Sequence, residues 1–347
     1  MVKGYICVLP LLLISCQLGA SPPAPLDAAA HAALGTALAR EGKYDPAIQQ
    51  YKAAIHLNSH LPAIYLNLGL AYFKSKRFPD AAAAFEEAVR ADEGNFQART
   101  LLGMSYYGCA RYALAAKNLK TASDRQPENE ELRYTLAQSY LWSEQYPEAI
   151  AEFRFLLTRN PDSAPAHVLL GEVLDASNQV EAATAEFEAA ARAPSVPPET
   201  HFGLGYLYWK QQRLSDAGRE FEAELANQPQ HALALTYLGD AEMRTDRQKA
   251  ADVHLRRALA LDQNIWLAQL DLGILLAAGG DSEQATRHFR DAIRIDPAKP
   301  DAHYRLGRLL NSQGREREAQ EEFEAVKKLA AEEPQAPLLR VTGRPRQ

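Results

Sequence analysis

The sequence predicts an all-α protein: a solenoid of nine 34-residue helix-turn-helix repeats, preceded by a signal peptide. Three observations predict it. A Leu-Gly pair recurs at one fixed spacing, the glycine slot falling on Gly35, Gly69, Gly103, Ala137, Gly171, Gly205, Gly239, Gly273 and Gly307. Twelve residues after that slot stands an alanine in every copy, from Ala47 and Ala81 to Ala319. The composition, 47% hydrophobic but only 8% aromatic, suits helices packed through small side chains. Self-similarity at a fixed period decides the architecture before local propensity does. An array grows by addition, so 347 residues need not mean two or three globular domains.

The N-terminus reads as an address. Lys3 gives a positive start, and an apolar run from Tyr5 to Ile14 follows. The run is too short to span a bilayer, which takes about 20 apolar residues, and it fits a secretory signal. Two cleavage sites compete. Leu13-Ile14-Ser15-Cys16 resembles a bacterial lipobox, which makes residues 1–15 the signal and Cys16 the lipidated residue; the alternative is cleavage after Ala20. Gln17 following the cysteine favours an outer-membrane lipoprotein. The expected location is therefore exported, periplasmic or outer-membrane, with a soluble secreted form as the alternative. Residues 16–27 form a Pro-rich spacer, residues 28–331 the nine repeats, and residues 332–347 a basic tail with Arg340, Arg344 and Arg346, expected to be disordered.

Within a unit the second copy is representative. A first helix is expected from about Ala63 to Ser75, a turn at Lys76-Arg77, and a second helix opened by Pro79-Asp80 and running to about Asp92. Pro127, Pro161, Pro229 and Pro297 stop the second helix in four copies. Gly42, Gly280 and Gly314 mark the turn between helices in three. A mid-helix glycine costs roughly 0.5–1 kcal/mol against alanine, so its recurrence implies a close contact. Gly69 and Ala81 are expected where the two helices cross, with Phe85 filling the space between neighbouring units. In the ninth unit the second helix is expected from Glu316 to about Glu332. The seventh copy is the loosest, with Glu242 in a slot usually held by Tyr or Leu, and reads as a soft joint.

The series Leu-Gly, Ala, aromatic, Ala, Pro resembles the tetratricopeptide repeat family, over about Ala28 to Leu329. Departures are Ala137 for the glycine and Leu156, Glu224 and Val326 for the last alanine. The resemblance implies a right-handed superhelix whose concave groove, lined by the first helices, holds a partner's extended segment.

Counted from the glycine slot, offsets −3, +1 and +4 form one stripe of the first helix, and in the family that stripe lines the groove. Here it supplies Leu66, Leu70, Phe73, Met104, Tyr107, Tyr134, Leu141, Phe202, Tyr206, Trp209, Met243, Leu270 and Ile274, with Trp142 adjoining at +5. Exposed apolar surface of this extent marks an interaction site, and aromatics with Met are typical anchors. The competing reading is that these residues pack against the next unit's first helix and are core. Leu338, Leu339 and Val341 of the tail are a third possible occupant of the groove. The Lys/Asn clamp with which some family members take acidic tails is absent. Glu172, Asp175 and Asp240 instead offer an acidic spot for a partner's Lys or Arg.

Nothing reads as catalytic. His31, His167, His201 and His303 share offset −4, one per unit, and read as stand-ins for the family's aromatic; a zinc site needs its ligands within about 2.1 Å of one ion. Cys109 reads as a small packed thiol, and three cysteines build no disulfide framework. A net charge of −6 lacks the basic stripe that nucleic acid requires. The expectation is a non-enzymatic scaffold without cofactor or metal, binding peptides or helices of other proteins and serving cell-envelope assembly. It touches membrane only through a lipid anchor, and its oligomeric state is open. The alternative is a substrate-recruiting subunit of an envelope enzyme complex.

Overall fold

The computed structural model describes residues 26–58 and 62–331. The lipobox with Cys16, Cys7, most of the spacer and the tail lie outside the described residues. Among those residues there are 18 helices and no strand. The chain divides between Glu93 and Gly94 into two compact units. The first holds two hairpins, α1 (Ala28–Arg40) with α2 (Tyr44–Leu57) and α3 (Pro62–Lys74) with α4 (Phe78–Ala91). The second holds seven. These are α5 (Phe96–Gly108) with α6 (Tyr112–Arg125), α7 (Glu130–Trp142) with α8 (Tyr146–Arg159), and α9 (Ala164–Ala176) with α10 (Val180–Ala191). Then come α11 (Thr200–Lys210) with α12 (Leu214–Asn227), and α13 (Ala232–Arg244) with α14 (Gln248–Leu261). Last are α15 (Trp266–Ala278) with α16 (Ser282–Ile295), and α17 (Pro300–Ser312) with α18 (Glu316–Ala331). Within this unit each hairpin packs on the next, and successive first helices such as α11, α13, α15 and α17 also touch.

The turn chemistry is uniform. The residue seven after the glycine slot is left-handed in all nine hairpins: Gly42, Gly280 and Gly314, but also Lys76, Ala110, Glu144, Asn178, Gln212 and Asp246. Arg77 N–H donates to Tyr72 and Lys76 N–H to Phe73, the paired bonds that close a helix on a left-handed residue. Six non-glycine residues accept a conformation that costs an L-residue roughly 1–2 kcal/mol, because those two bonds and the packing of both helices fix the turn. The four second helices that precede prolines each end two residues before them, at Arg125, Arg159, Asn227 and Ile295.

The core repeats with the sequence. The alanine twelve residues past the slot is fully buried in every unit, and so is the preceding leucine, apart from Leu34. The glycine's role differs from expectation. A Cβ on Gly69 would lie 2.5 Å from the Phe85 ring, and one on Gly205 would lie 2.8 Å from Phe221. Tyr51, Phe187, Phe289 and Phe323 crowd Gly35, Gly171, Gly273 and Gly307 in the same way. The ring is thus seated on the glycine of its own hairpin, and its far side meets the next one as expected, Phe221 packing on Tyr237 and Phe289 sharing a core with Leu306. Leu119 and Leu255 take the seat opposite Gly103 and Gly239, and in the fourth unit Ala137 and Phe153 hold the corresponding positions and are both fully buried.

The seventh unit is not loose. Glu242 is 2% exposed, meets His254 Nδ1 at 2.7 Å and lies 3.8 Å from Arg247. A buried ionic link replaces the apolar contact there. Glu224, the other acidic departure, also has a structural use. The segment before α11 is irregular, Glu199 is left-handed and offers no side-chain cap, and Glu224 Oε2 accepts the Phe202 N–H at 3.2 Å. It satisfies one donor of a helix start that lacks its ordinary cap.

Candidate protein-binding face

In the first unit the face consists of Leu66, Leu70 and Phe73 on α3, all half-buried, with Phe73 packed edge-on to Phe78 at 5.5 Å. In the second unit neighbouring first helices are joined across it. The Tyr107 hydroxyl donates to Gln138 Oε1 at 3.0 Å, linking α5 to α7. Trp209 Nε1–H donates to Asp240, linking α11 to α13. Both bonds run from offset +4 of one unit to offset +1 of the next. The +4 side chains therefore do pack on the next first helix, yet Tyr107 and Trp209 stay partly exposed.

Ten predicted residues lie half-buried along the first helices: Leu66, Leu70, Phe73, Met104, Tyr107, Tyr134, Tyr206, Trp209, Met243 and Ile274. Four do not face solvent. Leu141 is 1% exposed, Trp142 4%, Phe202 2% and Leu270 6%. Trp142 lies against Tyr112 of the preceding hairpin at 6.4 Å, Phe202 is stacked near His231 at 4.7 Å, and Leu270 belongs to the core around Phe289 and Leu306. At these positions the core reading holds, because a neighbouring hairpin closes over the stripe, the preceding one at Trp142 and the following one at Phe202.

The expected acidic spot is also altered. Asp175 is buried and bound by the chain's own Lys210 at 2.5 Å, and Glu172 is buried as well. Two residues at offset −2 escaped the sequence reading. Tyr237 packs against Tyr206 at 5.4 Å, Trp209 at 5.1 Å and Phe221 at 5.9 Å, so it joins the aromatic group to the core. Asp271 is 4% exposed and its Oδ2 has no hydrogen-bond partner. Offset −2 faces back toward the preceding first helix, and a stripe drawn at −3, +1 and +4 passes it by.

Burial governs the titration here. It raises the Asp271 carboxyl well above the usual carboxylate range, and the Asp240 charge adds to this against the opposing pull of Arg244 and Arg305. Burial, then Tyr206, Asp240 and Asp271, raise the Tyr237 hydroxyl. Burial, Tyr107 and Glu172 push the Tyr134 hydroxyl up to about 12.

The histidines are structural. His167 meets Glu186 at 2.6 Å, His201 meets Glu220 at 2.8 Å, His303 meets Glu322 at 2.6 Å, and His31 meets Gln50 at 2.7 Å. Arg133 meets Glu152 from the same slots at 2.6 Å. Each pair ties the two helices of one hairpin by a polar link rather than by an aromatic contact. Among the described residues no three His, Cys, Asp or Glu side chains could hold a metal ion. Cys109 ends α5 as a free thiol, its Sγ 3.5 Å from the Tyr106 carbonyl.

Known proteins share this architecture. Family profiles described as TPR repeat or tetratricopeptide repeat match residues 35–76, 62–95, 110–154, 134–197, 202–264 and 275–340. A chloroplastic tetratricopeptide repeat domain-containing protein of Arabidopsis thaliana, PYG7, is 42% identical over 67 residues, 19% of this chain and 22% of that protein's length. The Cut9–Hcn1 hetero-tetramer of the APC/C is similar in structure, with a TM-score of 0.54 and 15% identity over 91% of this chain and 77% of its own. The C-terminal part of a TPR repeat-containing protein from Cytophaga hutchinsonii gives 0.56 and 16% identity over 70% of this chain and 99% of its own. At these identities the structural likeness speaks for the fold, and the profiles carry the assignment: the chain belongs to the tetratricopeptide repeat family.

Proposed function

We propose that the protein is a non-enzymatic scaffold that holds an extended segment or helix of a partner protein along its first helices, in the service of cell-envelope assembly. The repeat family supports an interaction scaffold in general terms. The partly exposed group of Tyr206, Trp209 and Tyr237, stacked or edge-on within 6 Å of one another, carries the reading that this face is where binding occurs. Aromatic side chains held rigid at a surface lose little entropy on contact and dominate interface energies. Replacing Tyr206 and Trp209 together by alanine is expected to weaken capture of a partner from an envelope extract by about 30-fold or more, the loss of roughly 2 kcal/mol typical of such anchors. Circular dichroism serves as the folding control, and unchanged capture overturns the reading.

The envelope location rests on Leu13-Ile14-Ser15-Cys16. We propose an exported lipoprotein anchored through Cys16, touching the membrane by that lipid alone. Mass spectrometry of the mature N-terminus is expected to find a diacylated or triacylated cysteine, whereas a free Ser21 refutes the anchor.

A further inference from the structure

The floor between α11, α13 and α15 combines features that the rest of the face lacks. Its walls are Tyr206 and Trp209, stacked at 5.9 Å, with Tyr237 edge-on to both. Asp240 is largely buried beside them, fixed by the Trp209 indole N–H and only loosely met by Arg244 Nη1, 3.4 Å away. Behind Asp240 stands Asp271, whose buried Oδ2 has no partner. Native proteins leave few buried polar atoms unsatisfied, and an unpaired carboxyl oxygen behind a second carboxylate is a local surplus of acceptor.

The cations nearby do not remove it. Lys210 is committed to Asp175 on α9 at 2.5 Å and reaches the Tyr206 ring only at 5.8 Å, and Arg244 also binds Gln212 and reaches the Trp209 ring only at 5.9 Å, so an incoming cation competes with long contacts on both faces. Arg305 on α17 acts on Asp271 electrostatically without a hydrogen bond to Oδ2. An acidic pair beside the faces of Trp and Tyr is complementary to a positive charge, which gains from the ring quadrupoles as well as from the carboxylates.

We propose that this floor seats one cationic side chain, a lysine or arginine of an extended partner segment, held directly by Asp240 and strengthened by Asp271 behind it. The inference rests on the groove-binding function and adds the chemistry of one recognition position. An incoming guanidinium or ammonium takes over the weak pairing of Arg244 with Asp240. Its approach also favours ionisation of Asp271, so binding strengthens as pH rises toward neutrality.

The test uses the full chain and four labelled peptides, N-acetyl-Gly-Leu-Xaa-Leu-Gly-amide, in which Xaa is arginine, lysine, norleucine or glutamate. Affinities are read by fluorescence anisotropy. The arginine and lysine peptides are expected to bind at least tenfold more tightly than the norleucine peptide, with glutamate weakest. Asp240→Asn and Asp271→Asn are each expected to erase that preference, bringing the arginine and lysine peptides to the affinity of the norleucine peptide, with circular dichroism showing that the variants fold. Asp252→Asn removes an exposed acid on α14 that is paired with Arg256, and is expected to leave the preference intact. Equal affinity for arginine and norleucine peptides refutes the cationic seat and leaves the groove function standing. Loss of the preference in Asp252→Asn reduces it to overall charge and refutes the seat as well. Absence of binding by every peptide overturns both readings. If peptides bind only after residues 332–347 are deleted, the occupant is the chain's own basic tail and the partner-borne cation is refuted.

Discussion

Phe221→Ala is expected to destabilise the sixth hairpin and its neighbours by about 3–5 kcal/mol, the upper range for large-to-small changes in a core. Phe221 is fully buried on Gly205, and it is stacked against Tyr237 at 5.9 Å. Truncation leaves a void bordered on the opposing helix by Gly205, which has no side chain to fill it, and by Phe202, whose ring is held against His231 and Tyr237. Glycine faces the missing ring, so the backbone itself would have to move. Chemical denaturation read by circular dichroism measures the loss, and a change below 1 kcal/mol contradicts the seat. The protein supplies its own comparison: Leu119 and Leu255 occupy the same seat opposite glycine in the third and seventh hairpins. Phe221→Leu is therefore expected to cost less than about 1.5 kcal/mol, as volume-conserving swaps do. Because Tyr237 rests on Phe221, the alanine variant is also expected to lower peptide affinity, and the leucine variant to retain most of it.

Asp271→Asn is expected to stabilise the fold at neutral pH, because the amide cannot take on the charge that burial disfavours. It is also expected to flatten the acid limb of the stability curve. The folded protein holds the Asp271 proton to a higher pH than the unfolded chain does, through burial first and the Asp240 charge second. Below the ordinary carboxylate value the group is protonated in both states and costs nothing electrostatically. As pH rises from there through the folded value, the unfolded chain has already ionised and the folded state is left behind, so stability falls. The amide removes that dependence. Denaturation midpoints of wild type and variant between pH 4 and 8 measure it: the gap between them should widen toward high pH. A gap that narrows instead shows that Asp271 is better satisfied when ionised.

The fold was legible because packing residues recur where the backbone repeats, and period alone fixed the hairpins to within one or two residues. The left-handed turn was legible only where Gly42, Gly280 and Gly314 occupy it. Lys76 and Gln212 adopt the same geometry without announcing it, since the pressure comes from the helices on either side. The exposure of the proposed face was legible in part. Tyr206 and Trp209 were found from the stripe, but Phe202 on the same stripe is covered by His231 and Tyr237 of the following hairpin, a contact between repeats that no within-helix count contains. Tyr237 and Asp271 were missed for the converse reason. Their offset looks lateral on an isolated helix and becomes part of the floor only once the preceding helix is beside it. Glu224 and Glu242 were read as lapses from the repeat, yet each meets a polar demand set by its surroundings.

Seating each ring on its own hairpin's glycine makes the 34-residue segment a closed cassette. That fastening lies inside the segment, while the far side of the ring is shared with the next one, as Phe221 is with Tyr237 and Phe289 with Leu306. Duplicating or excising such a cassette keeps both kinds of contact in register, because the period is constant, and it lengthens or shortens the row of first helices by one step. Recognition can then diverge along the row, at positions such as Trp209 or Asp240, while the closures beneath stay as they are.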